Sequence, residues 1–228
     1  MSTSAQLEQR RWINTGWLLA LVSAALFALR PVLVKLVYAE GVDSTSLLAW
    51  RMLFSAPIYL LMLALLLSSK RQRSRITRNA VLASAAVGVV GYFGASWFDL
   101  LGLQYVSAQL GRMILYTYPG FVVLIGVIFM AQRIESKTIL ALALTYAGVA
   151  VIFAHDLGYL GDAVVRGALL ISAASLCFAC YLVFSKRLVE TLGSRLFTCI
   201  ALLSASAVII FFAASQGLLG SAQLPAAR

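Results

Sequence analysis

The chain has 228 residues, of which 62% are hydrophobic and only 11% charged, with 18 Lys and Arg against 8 Asp and Glu. A mean hydropathy of +0.94 excludes a water-soluble domain, because several apolar runs exceed the ~18 residues that mark a membrane span. The formal net charge of +10 would suggest nucleic acid in a soluble protein, but its placement along the chain points elsewhere.

After an N-terminal segment at 1–11, the apolar runs predict seven spans, at roughly 12–38, 44–67, 80–103, 106–130, 136–154, 164–185 and 195–216. They are continuously apolar and lack the alternation of a barrel strand, so the fold class is an all-α polytopic membrane protein. The first run is too long for a cleavable signal peptide and reads as a signal-anchor. Residues 1–11, 68–79, 131–137 and 186–195 carry Arg10, Arg11, Lys70, Arg71, Arg73, Arg75, Arg78, Arg133, Lys137, Lys186, Arg187 and Arg195. The intervening loops 39–43, 104–105 and 155–163 carry no Lys or Arg. That bias predicts a cytoplasmic N-terminus, an outer loop at 155–163 and an outer tail at 217–228. The basic excess is therefore topology and not a nucleic-acid footprint. The cluster at 68–78 can also touch anionic headgroups.

Five ionisable residues fall inside the spans: Arg30 and Lys35 in the first, Arg51 in the second, Asp99 in the third and Arg112 in the fourth. At 1.5 Å per residue from the outer span ends, Arg30 lies ~12 Å in, Arg51 and Arg112 ~10 Å, Asp99 ~6 Å and Lys35 ~5 Å. A charge near the bilayer centre costs about 2.5–3.5 kcal/mol on the insertion scale, so these side chains should face a protein interior or a wet cavity. In the third span Ser84, Gly88, Tyr92 and Asp99 share a face, with Gly91 and Gly94 permitting close approach. In the fourth, Tyr105, Gln109, Arg112, Tyr116 and Pro119 recur every three or four residues, and Pro119-Gly120 should loosen the backbone. Asp99 could pair with Arg112 or Arg51 as an interhelical clamp while Lys35 snorkels. One aspartate cannot neutralise three arginines and a lysine, so the surplus charge favours an anionic or carboxylate-bearing ligand. Arg30, Arg51 and Arg112 are expected to hold that group, with Asp99 beside them and Tyr116 against the body of the ligand. Asp99 is the only intramembrane acid, hence the only side-chain candidate for proton coupling.

Cys177 and Cys180 in the sixth span and Cys199 in the seventh read as small packing residues, since a metal or redox role needs ligands the chain lacks there. His155 has no partner at metal-site spacing; no metal or cofactor is expected. The first span also has an echo. GWLLALVSAALFALRPVLVKLV, from Gly16, aligns without a gap on GALLISAASLCFACYLVFSKRL, from Gly167, matching Phe27-Ala28 with Phe178-Ala179 and Lys35 with Lys186. Five spans separate the starts of the copies, so they cross in opposite directions, the mark of inverted five-helix repeats. Tyr181 stands at the equivalent of Arg30 and should approach the same cavity. The repeats divide the chain into 12–154, complete, and 164–216, holding two spans of five. The chain thus reads as a truncated product or fragment.

The stretch GLQYVSAQLGRMILYTYPGFVVLIGVIFMAQRIESKTILALALTYAGVAVIF, residues 102–153, resembles the fourth and fifth spans of EamA-type drug/metabolite transporters. Shared features are a Y-x-x-A entry, a mid-helix Tyr-Pro, a short basic loop and a small-residue helix ending in A-G-V. LLAWRMLF at 47–54 resembles their second span and RPVLVK at 30–35 the end of their first, which carries Pro31, Lys35, Arg51 and Pro119 over as matching positions. Two positions depart from the pattern: Phe27-Ala28 replaces a common Trp-Gly, and Gln132 stands where a Glu is expected. The resemblance implies ten spans, alternating access and movement of small metabolites, often amino acid export, across a bacterial inner membrane. It implies a small-molecule substrate and the lipid bilayer as partners, leaves a homodimer open, and implies no enzyme activity. A flippase of lipid-linked substrates would use the same fold. A seven-span receptor fits the span count, but a retinal protein needs a lysine in the last span, absent from 195–216, and receptors of that type place the N-terminus outside.

Overall fold

The computed structural model describes residues 3–68, 76–130 and 134–215. The basic cluster within 69–75, the loop with Gln132 and Arg133, and the tail at 217–228 lie outside them. In hydrocarbon a backbone must satisfy its own polar groups, and the described chain does so as helices. These are α1 (Thr3–Ala39), α2 (Ser44–Leu67), α3 (Arg78–Gly88), α4 (Ala95–Gly102), α5 (Ala108–Leu115), α6 (Tyr118–Met130), α7 (Ser136–Leu160), α8 (Ala163–Leu192) and α9 (Ser194–Ser215). Seven stretches are long and apolar enough to cross a bilayer: Gly16–Ala39, Ser44–Leu67, Arg78–Gly102, Ala108–Phe129, Ser136–Leu160, Ala163–Leu192 and Ser194–Ser215. The chain is a multi-pass membrane protein.

Local chemistry sets several boundaries. Asp43 accepts hydrogen bonds from the N–H groups of Thr45 at 2.8 Å and Ser46 at 3.1 Å, which starts α2. Gly161 (φ +70°) and Gly193 (φ +84°) end α7 and α8 in backbone conformations that disfavour a side chain. These ends correct two expectations. The fifth span continues through His155 and Asp156 to Leu160, which shrinks the loop expected at 155–163 to Gly161 and Asp162. The sixth runs through Lys186 and Arg187 to Leu192. In both cases charged residues at a helix end look like loop in the sequence, yet the backbone needs a glycine to stop. Asp156 is buried and accepts from the Ser107 N–H at 2.9 Å, so it pins the start of α5.

Two spans are irregular. The third passes through a π-helical turn at Val89–Gly94 between α3 and α4, a feature not legible in the residue spacing. The fourth is broken between α5 and α6, at Tyr116 and Thr117, just ahead of Pro119. The broken backbone is not left bare. Pro119 has no N–H to offer the Leu115 carbonyl four residues back, and Ser175 Oγ of α8 donates to that carbonyl at 3.2 Å. Thr117 Oγ1 closes the turn by donating to the Ile114 carbonyl at 2.7 Å.

Packing centres on α9 against α2 and α3, and on α4 against α8. One apolar cluster joins Leu48, Met52, Leu100, Leu110, Ile171 and Ile209; a second joins Leu192, Leu196, Phe197 and Ala201. Small residues let the backbones meet: a Cβ at Gly102 would stand 2.9 Å from the Gly167 carbonyl oxygen.

Candidate functional site

The intramembrane charges converge because four spans present them to one place. Arg30 on α1 stands 3.0 Å from Asp99 on α4, Nη2 to Oδ2. The pair is oriented too poorly to make a hydrogen bond, and Arg30 Nε is buried without a partner. Asp99 is buried. Arg51 on α2 makes no ion pair or hydrogen bond among the described residues. The clamp expected between Asp99 and Arg112 or Arg51 is thus made by Arg30 instead.

A cavity of about 340 Å³ opens against this pair. Arg30, Arg51, Asp99 and Tyr116 line it, together with Phe27, Tyr92, Ser96, Tyr118 and Phe178. Its volume falls in the range of small-molecule sites. Its wall is aromatic, with Tyr118 meeting Phe178 edge to face at 5.1 Å. Its charge is uneven: two guanidinium groups face one carboxylate.

Two expected site residues are placed differently. Tyr181 is not among the lining residues; its hydroxyl shares a 3.0 Å hydrogen bond with Tyr92, and its ring supports Tyr92 and Phe178 from behind at 5.1 and 6.0 Å. Gly91 makes this possible, since a Cβ there would stand 2.4 Å from the Tyr181 ring. Arg112 also lies outside the cavity wall. Its guanidinium donates to the Phe27 carbonyl and sits over the Phe27 ring, 4.2 Å from the centroid. It shares a crevice with Arg30, Pro31, Asp99, Leu103 and Gly111. The polar stripe of the fourth span keeps its register, with Tyr105, Gln109, Tyr116 and Pro119 exposed between the buried Leu110, Ile114 and Thr117.

The aromatic wall is only partly legible in the sequence: Tyr92 and Tyr116 stand on the polar faces of their spans and line the cavity. Phe27, Tyr118 and Phe178 look like ordinary apolar span residues; the register of the two copies marks Phe27 and Phe178 as equivalent, and nothing marks Tyr118. Among the described residues no group of three or more His, Cys, Asp or Glu could hold a metal ion. The donor set suits an organic anion with an apolar body.

Comparison with known proteins follows the same lines. The chain is 24% identical over 203 residues to an uncharacterized transporter, YcbK, of Bacillus subtilis (strain 168); the match covers 86% of this chain and 62% of that protein. The chain therefore spans less than two thirds of that relative's length. No solved structure matches it. Residues 14–154, five of the seven spans and every charged residue of the cavity, match the EamA-like transporter family, and the chain belongs to that family.

Proposed function

We propose that the protein is a secondary transporter of small organic metabolites that carry a carboxylate, such as amino acids, and that it works by alternating access around the aromatic cavity. One observation carries the reading: Arg51 lines the cavity with no ion-pair partner among the described residues, next to an Arg30 with a spare buried N–H. An unpaired guanidinium inside a membrane is costly unless water or a ligand meets it, and a carboxylate is the fork-shaped acceptor it fits. Asp99 adds an acceptor for an ammonium group, and Phe27, Tyr92, Tyr116, Tyr118 and Phe178 offer apolar surface to a side chain. Phe27 and Phe178 occupy equivalent positions in the two copies and line the same cavity, which supports inverted repeats meeting there. The one-sided Lys and Arg count supports a cytoplasmic N-terminus with the cavity in the outer half of the bilayer. Export from a bacterial cell is the direction the resemblance implies.

Reconstituted into liposomes, the protein should exchange carboxylate-bearing solutes saturably and leave quaternary ammonium solutes of similar size untouched. Preferential movement of the cations would overturn the reading.

A further inference from the structure

Pro31 lies inside α1. It has no N–H, so the carbonyl four residues back, that of Phe27, has no partner within its own helix. An unmet carbonyl at membrane depth must be answered from elsewhere. Arg112 answers it. The same guanidinium that donates to the Phe27 carbonyl also covers the Phe27 ring, so it holds both the backbone and the side chain of one residue. Phe27 is in turn part of the cavity wall.

Arg112 sits at a break of its own, in the last turn of α5, with the chain leaving the helix at Tyr116. Before Pro31, α1 is held by this contact and by the Arg30–Asp99 ion pair at its end; α5 is its main packing partner, and Trp17, Leu18, Leu19, Leu21 and Leu26 are exposed along it. The fourth span treats its proline in the same way, with Ser175 on the Leu115 carbonyl. Pro31 and Pro119 thus each expose the carbonyl of a cavity-lining residue, Phe27 and Leu115, and a side chain from another span covers it; Pro57 inside α2 stands four residues after Leu53, which is not in the cavity wall.

We infer that Arg112 is a positioning residue, a latch that closes the carbonyl freed by Pro31 and so fixes the half of α1 before the proline against α5. When the latch lets go, that half of α1 swings about Pro31, carries Phe27 out of the wall and opens the cavity between the first and fourth spans. Arg112 thereby acts on the ligand through Phe27, whatever the ligand is, and the inference stands apart from the carboxylate reading.

The decisive variant is Pro31→Ala, which returns an N–H to position 31 and satisfies the Phe27 carbonyl without Arg112. Spin labels are placed at Leu19→Cys and Gln109→Cys in the full chain in lipid nanodiscs, with Cys177, Cys180 and Cys199 changed to alanine. Their distance distribution should be narrow with Arg112 present and about twofold broader in Arg112→Ala, in keeping with the loss of a charged hydrogen bond. In Pro31→Ala/Arg112→Ala it should be narrow again, and Arg112→Lys, which keeps a cationic donor, should fall between. Equal broadening with and without Pro31, or no broadening in Arg112→Ala, would overturn the latch. If Arg112→Ala does not fold, recovery of folded protein by Pro31→Ala supports the inference and failure to recover it counts against it.

Discussion

Arg51→Gln is expected to abolish ligand binding while leaving the protein as stable as before, or more so. A side chain that exists to pack or to pair does not behave this way. Arg51 has no partner among the described residues, so its removal leaves no orphaned carboxylate behind. It also relieves two nearby positive charges, Arg30 and Arg51, that now share one cavity. Truncating one side of a buried charge-assisted contact costs a ligand on the order of 2–5 kcal/mol, or roughly 30-fold to several thousand-fold in affinity. Asp99→Asn should give the reverse signature in stability, because it strands the guanidinium of Arg30, 3.0 Å away, without its counter-charge. Thermal unfolding in detergent and equilibrium binding, measured on the same preparations, separate the two. A large drop in midpoint temperature for Arg51→Gln would mean the arginine is structural.

Gly88→Leu should have the largest effect on folding. A Cβ at position 88 would stand 2.4 Å from the Ala201 Cα and 2.5 Å from its carbonyl oxygen. Both are backbone atoms of α9, so no rotamer change can relieve the overlap and α3 must move off its neighbour. Overpacking a close contact costs about 1–3 kcal/mol where side chains can adjust, and more is expected here. Gly148→Leu on α7 is the matched control, since nothing lies within 4 Å of a Cβ there. The first variant should yield little monodisperse protein and the second a normal amount. Equal yields would show that α3 and α9 do not meet as described.

What the sequence disclosed follows from how far each signal reaches. Hydropathy carries the spans, and the second matches residue for residue at 44–67 because Asp43 caps one end. The cost of intramembrane charge carries Arg30, Arg51 and Asp99 to one cavity, because few other places in a membrane protein will take them. Partner choice is different. Whether Asp99 meets Arg30 or Arg112 depends on helix rotation and on the π-turn at Val89–Gly94, and neither leaves a mark in residue spacing. Arg112 is hard to place from the sequence for a related reason. Its polar neighbours Gln109 and Tyr116 make it look like a wall residue, whereas its guanidinium reaches the Phe27 carbonyl and ring on another helix. The repeat points to Tyr181 as a lining residue, but Gly91 admits its ring behind Tyr92 instead.

The cavity's excess positive charge is the centre of this account, and a thiol placed inside it reports on that charge directly. With Cys177, Cys180 and Cys199 replaced by alanine, Ser96→Cys puts a single reactive group in the cavity wall. Its rate with a sulfonate-bearing methanethiosulfonate is compared with its rate with a trimethylammonium analogue, each normalised to a free thiol in solution. The anionic reagent should be favoured by about 10-fold or more, the scale of focusing in a low-dielectric cleft, and the preference should vanish in Arg51→Gln. Preference for the cationic reagent, or an anionic preference untouched by Arg51→Gln, would contradict the assignment of Arg51 as the ligand's anchor.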